Sequence, residues 1–148
     1  MPLARLMAMA FRTLIDALHA RLEDQGWKDV RSSYGYVLVA ARDEPLTVTA
    51  VAALLGMTKQ AASKLVDSMV SDGYLRKSED PEDARRQLLE LSAKGGRLLA
   101  AVETIYAELE TEWGEIIGAS AVDRLRSDLT RALRGLHEGR LPAIRPTW

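Results

Sequence analysis

Three observations predict a mainly α-helical chain carrying one small β-hairpin. Apolar residues recur at helical spacing at both ends of the chain. Two short helix patterns meet at Gly56. Two strand-like segments, residues 74–77 and 88–91, then flank a polar loop at 78–87. The 148 residues, 47% hydrophobic and 28% charged, have the make-up of a single globular domain, long enough to bury a real core.

Each element has a local cause. Leu3, Leu6, Met7, Ala10, Leu14, Ala17, Leu18 and Leu22 fall at steps of three and four, which gives a first amphipathic helix ending near Gly26. Residues 24–33 form a polar connection. A short apolar helix at 34–42 stops at the Asp43-Glu44-Pro45 turn, because a residue before proline is pushed out of the helical region. Thr47 or Thr49 caps the next helix, which turns Val51, Ala52, Leu54 and Leu55 inward and ends at Gly56. Thr58 caps the helix after that. One of its faces carries Ala62, Leu65, Val66, Met69 and Val70, the other Lys59, Gln60, Ser63, Lys64 and Asp67, and Gly73 terminates it. Beyond the hairpin, a long helix at 93–117 bears the stripe Leu98, Val102, Ile105, Leu109, Trp113 and Ile116, about 27 Å long at 1.5 Å per residue. A last helix at 121–136 precedes a proline-containing tail.

Composition excludes several classes. With no cysteine there is no disulfide, no thiolate nucleophile, no thiol-based oxidant switch and no cysteine zinc site, which agrees with a cytoplasmic setting. Arg5, Arg12 and Asp16 interrupt the apolar start, so neither a signal peptide nor a membrane span is expected. His19 and His137, the only histidines, lie in different helices without a ligand-spaced partner, and no metal or cofactor is expected. No nucleophile elbow, phosphate-binding glycine loop or dinucleotide fingerprint occurs, so nothing supports an enzyme. The net charge of −1 gives no general pull toward nucleic acid. Five acids and no Lys or Arg lie between Leu98 and Val122, which concentrates negative charge on one helix. Residues 58–86 hold six bases and six acids, so a DNA-facing patch there must come from geometry.

A helix-turn-helix needs a small residue at the close crossing, a glycine in the turn and apolar residues where the helices touch. Val51, Ala52, Leu55, Gly56, Met57, Ala62 and Leu65 supply these in order, although a plain pair of packed helices would show the same pattern. The segment that follows is more specific. From Leu75 through Asp80-Pro81-Glu82-Asp83-Ala84-Arg85-Arg86-Gln87-Leu88-Leu89-Glu90-Leu91-Ser92-Ala93-Lys94-Gly95 the chain closely resembles the wing signature of the MarR family of bacterial transcription regulators. The resemblance extends over nearly the whole chain and implies one MarR-like domain over 1–148. A winged helix-turn-helix would occupy 34–95, and dimerisation helices 1–24 and 96–137.

That resemblance implies a cytoplasmic, homodimeric, sequence-specific DNA-binding regulator without a cofactor, usually a repressor, on a near-palindromic operator in double-stranded DNA. Thr58, at a helix N-terminus, suits a phosphate. Gln60 can read an adenine edge, Lys59 and Lys64 a guanine or phosphate, and Ser63 a base or the backbone. Arg85 matches the family's minor-groove arginine, Asp83 the aspartate that braces it, and Arg86 is an additional base at an unfixed position. A small aromatic or anionic effector would bind near Trp27, Arg31, Tyr34 and Tyr36, although aromatics at a helix start are more often core or staple residues. Two other readings stay open: a winged-helix protein-interaction module with no operator preference, and a small helical enzyme.

Overall fold

The computed structural model describes residues 1–144. Its elements follow in the order α1 (Leu3–Asp24), α2 (Ser32–Asp43), α3 (Val48–Leu55), α4 (Lys59–Ser71), β1 (Leu75–Glu79), β2 (Gln87–Leu91), α5 (Ala93–Ile117) and α6 (Ala119–Leu136). The fold is thus mainly helical with one two-stranded antiparallel sheet. The end of the proline-containing tail, residues 145–148, lies outside the described residues. The chain forms two compact units, Trp27–Val102 with residues 143 and 144, and Met1–Gly26 with Glu103–Pro142, the division falling inside α5.

In the winged unit, α3 packs on α4, and α2 packs on α3 and β2. Of the two candidate caps for α3 it is Thr47 that acts, its hydroxyl accepting from the Ala50 N–H at 3.1 Å. Gly56 ends α3 in the left-handed region at φ 62°, a conformation a side chain disfavours, and Met57 N–H bonds back to the Ala52 carbonyl at 3.0 Å. Two residues later Thr58 caps α4 by accepting from Ala61 N–H at 3.1 Å. The inward faces then meet: Val51, Ala52 and Leu55 of α3 and Ala62, Leu65, Val66 and Met69 of α4 are all buried. Tyr34, Val37, Leu38, Leu75, Leu89 and Leu98 complete this core.

The hairpin is longer than its sequence pattern suggests. Pairing runs from Leu75 opposite Leu91 to Glu79 opposite Gln87, which shortens the loop to residues 80–86. Leu46 adds a bridge on the far side of β2. Its N–H donates to the Leu89 carbonyl at 3.0 Å, and Leu89 N–H donates back at 2.7 Å. A one-residue bridge beside Pro45 leaves no alternating pattern for a reader of the sequence to find.

The passage from hairpin to α5 is tightly fixed. The Ser92 hydroxyl accepts from Gly95 N–H at 2.9 Å, capping α5, and donates to the Gly73 carbonyl. Lys94 Nζ donates to the Asp72 carbonyl at 2.7 Å and stands 4.7 Å from the centre of the Tyr74 ring. Both lysine and serine thereby satisfy backbone carbonyls at the end of α4. Gly95 is required by space: a Cβ there would lie 2.1 Å from the Tyr74 carbonyl oxygen and 2.9 Å from Leu91 Cδ1.

In the helical unit, Ile15, Leu18 and Leu22 of α1 are buried, as are Ile105 and Leu109 of α5. Arg21 ties the two helices through Glu112 at 2.6 Å and Glu108 at 3.3 Å. The expected stripes are covered only in part. Ile15, one turn before Leu18, joins the buried side, whereas Leu3, Leu6 and Met7 are exposed. On α5, Trp113 is half-buried and Ile116 is 82% exposed. Helix α6 starts at Ala119, two residues before the expected start, because Gly118 at φ 95° turns the chain immediately ahead of it. It has no buried residue, and Leu125, Leu133 and Leu136 are exposed. Arg126 links it to Glu110 of α5 and also pairs with Asp123, one turn earlier in α6 itself, at 2.9 Å.

Candidate nucleic-acid interface

Helix α4 divides cleanly into two faces. While Ala62, Leu65, Val66 and Met69 enter the core, Thr58, Lys59, Gln60 and Lys64 are exposed and Ser63 is partly so. These five residues occupy the cap and first two turns, where free backbone amides and the helix dipole favour a negative partner. Farther along, Asp67 is paired with Lys77 of β1 at 3.1 Å, a link from α4 to the hairpin. Arg76 and Glu90 form a cross-strand pair at 3.6 Å.

The loop 80–86 closes on itself. Asp80 N–H donates to the Arg86 carbonyl at 3.1 Å, Asp83 N–H to the Asp80 carbonyl at 3.2 Å, and Arg86 N–H to the Asp83 carbonyl at 2.9 Å. The Asp80 carboxylate accepts from Glu82 N–H at 2.9 Å and lies 3.9 Å from Arg86 Nε. Asp83 Oδ1 accepts from Arg85 N–H at 3.0 Å and lies 3.4 Å from Arg85 Nε. Arg85 is therefore oriented at its base while its side chain stays 92% exposed. Asp83 thus contacts both the backbone and the side chain of Arg85. Asp80 is absent from the residues singled out in the sequence, although an aspartate opening a turn and bonding the N–H two residues on is a recognisable local signal.

Charge is divided unevenly between the units. Residues 27–102 carry eleven Lys and Arg against ten Asp and Glu, whereas residues 1–26 with 103–142 carry eight against eleven. The winged unit is thus almost neutral, and its cations matter by position.

Of the four residues considered for an effector, Arg31 and Tyr34 line one cleft, and Trp27 and Tyr34 both flank Tyr74. Tyr34 is buried, its hydroxyl donating to Asp72 Oδ2 at 3.3 Å, and its ring meets Tyr74 edge-on at 5.8 Å. The Trp27 ring centroid lies 6.3 Å from that of Tyr74, the planes tilted by 44°. Burial pushes the Tyr34 hydroxyl above the ordinary tyrosine value, and the Asp72 carboxylate adds to the shift. Burial likewise raises Tyr74 and Tyr36. Arg31 and Tyr34 line a cleft of about 770 Å³ beside α4; Trp27 and Tyr36 do not. Asp29, Asp67 and Asp72 also line it, a poor match for an anionic occupant. Among the described residues no group of three or more His, Asp or Glu is placed to hold a metal ion, and no helix is long and apolar enough to cross a membrane.

A capped, outward-facing helix after a tight glycine turn, followed at once by a hairpin that holds out an arginine, defines a winged helix-turn-helix. Residues 29–86, which contain every residue of this face, match the model of the MarR family, and the fold is that of MarR-type transcriptional regulators. The reduced form of MarR from E. coli is 23% identical with a TM-score of 0.75, over 90% of this chain and 97% of that one. A mutant form of MepR from S. aureus is 20% identical with a TM-score of 0.71, over 92% and 99%. A transcriptional regulator from Thermotoga maritima is 22% identical with a TM-score of 0.62, over 93% and 94%. No curated protein matches the sequence.

Proposed function

We propose that this protein is a sequence-specific DNA-binding transcriptional regulator, a homodimeric repressor released by a small molecule. The observation that carries the reading is the exposed face of α4 beside an arginine held out by the wing. In this reading α4 enters the major groove. Thr58 and Lys59 meet phosphate, Gln60 and Lys64 read base edges, and Ser63 contacts either. Arg85, oriented by Asp83, enters the minor groove, and Arg86 adds a phosphate contact. The uncovered apolar residues of α1 and α6 support self-association, since exposed leucines on amphipathic helices gain from a second copy. A two-fold dimer then reads a near-palindromic operator with half-sites about 34–36 Å apart.

The near-neutral winged unit is the observation that favours the second reading, a protein-interaction module. Selection of duplexes from a random DNA pool at near-physiological salt decides between them, with an Arg85→Ala, Lys64→Ala double variant run alongside. The regulator reading expects an inverted repeat enriched by the wild type and not by the variant. No enrichment by folded wild-type protein would move the assignment to the interaction module.

A further inference from the structure

The chain leaves the winged unit within α5 and re-enters it after α6. Helix α6 ends in a turn in which Gly139 N–H donates to the Arg134 carbonyl at 2.8 Å and Arg140 N–H to the His137 carbonyl at 3.1 Å. Glu138 and Gly139 are both left-handed there, at φ 54° and 81°. Pro142 follows; its ring fixes one backbone angle and biases Leu141 toward an extended conformation, so the segment has little freedom to lose on docking. Residues 143 and 144 then belong to the same compact unit as α3 and α4. The contact is specific: Ile144 N–H donates to the Leu54 carbonyl at 3.1 Å.

Leu54 lies in the last turn of α3, where carbonyls have run out of helical donors. The two carbonyls before it are met by the glycine turn, Ala52 by Met57 N–H at 3.0 Å and Ala53 by Gly56 N–H at 3.4 Å. The tail supplies the next bond in this series. With eight residues, α3 is too short to be held by its own hydrogen bonds, and its end sets the turn from which Thr58 starts α4. A bond to Leu54 therefore bears on the angle at which α4 leaves the turn.

We propose that the C-terminal segment is a clasp, in which the Ile144 amide fixes the end of α3 and thereby the angle at which α4 is presented. Ile144 is then a positioning residue for the DNA-reading face. Its effect on DNA binding rests on the regulator reading above; its hold on α3 does not.

Ile144→Pro deletes the N–H and keeps an apolar side chain, whereas Ile144→Val keeps both. Amide hydrogen exchange, followed residue by residue in the full chain without DNA, is expected to show the Ile144 N–H protected in the wild type. In Ile144→Pro the Gly56 and Met57 amides should exchange about fivefold faster, the scale of one hydrogen bond, while the Leu89 N–H in the hairpin stays unchanged. Ile144→Val should match the wild type. On an operator recovered by selection, Ile144→Pro should bind about fivefold more weakly and Ile144→Val as the wild type. The slope of log affinity against log salt should not change, because no phosphate contact is lost. An unprotected Ile144 amide, or Gly56 and Met57 amides indifferent to Ile144→Pro, would overturn the clasp. Unchanged operator affinity, or a shallower salt slope showing that the tail itself meets phosphate, would overturn the positioning role. Failure to recover any operator, with the exchange pattern intact, would count against the regulator reading and not against the clasp.

Discussion

The winged unit and the helical unit differ in how completely one copy of the chain finishes them. From Trp27 to Val102 the apolar faces of three helices, the first turns of α5 and a hairpin meet one another, and residues such as Val37, Val51, Leu55 and Leu89 are fully buried. In the other unit α1 buries only its second half and α6 buries nothing, so that Leu136 is 80% exposed. Apolar spacing of similar quality thus produces a core in one region and an open face in the other. Amphipathic periodicity reports which side of a helix seeks cover; it does not report which molecule supplies the cover.

The strongest way to break this contrast is Gly95→Ala. A methyl group 2.1 Å from the Tyr74 carbonyl cannot be accommodated without moving the start of α5, and the Ser92 and Lys94 contacts with the end of α4 would move with it. A loss of about 3 kcal/mol or more is expected, seen in chemical denaturation as a strongly lowered midpoint. Leu89→Ala, in the middle of the completed core, should cost about 2–5 kcal/mol by the same measurement. Leu125→Ala, on the open face of α6, should change the unfolding free energy of the monomeric chain by less than about 0.5 kcal/mol. Similar costs at Leu89 and Leu125 in dilute monomer would erase the distinction between the units.

The proposed dimer sharpens the comparison. Leu125→Asp with Leu133→Asp should leave the circular dichroism of the chain intact while sedimentation shows the mass reduced to that of one copy. A species of unchanged, doubled mass would remove α6 from the interface. The smallest effect concerns alkaline pH. Tyr34, Tyr36 and Tyr74 hold their protons more firmly in the folded chain, with burial as the first cause. A group whose folded value is raised contributes stability fully present below its unfolded value, about 10 for tyrosine, and lost as pH rises through the raised value. Unfolding midpoints should therefore fall above about pH 10, as the ultraviolet signal of the phenolate groups rises. A midpoint flat through that range would show that these hydroxyls are not held by the fold.

Much of the architecture was legible because the signals were local. Thr58, Gly56 and Gly73 punctuate the helices where capping chemistry says they should, and the 93–117 helix begins and ends as its periodicity implies. What escaped depends on partners distant in sequence. The Leu46 bridge, the demand for glycine at 95 and the Lys77–Asp67 pair each need the folded chain to bring their two sides together. The polar face of α4 could be read from spacing alone, whereas Arg85 stood out through the wing signature around it. The cleft could not be read, because its acids come from the connection before α2 and from the far end of α4. Tyr34 and Trp27, which the sequence offered as effector contacts, pack around Tyr74.

The loop at the end of the hairpin has a consequence of its own. Each hydrogen bond that shapes residues 80–86 connects two members of that same heptapeptide. Its geometry is therefore portable: grafted between the strands of an unrelated hairpin, these seven residues would carry the posture of Arg85 with them, and selection could exchange the tip without disturbing the scaffold beneath it.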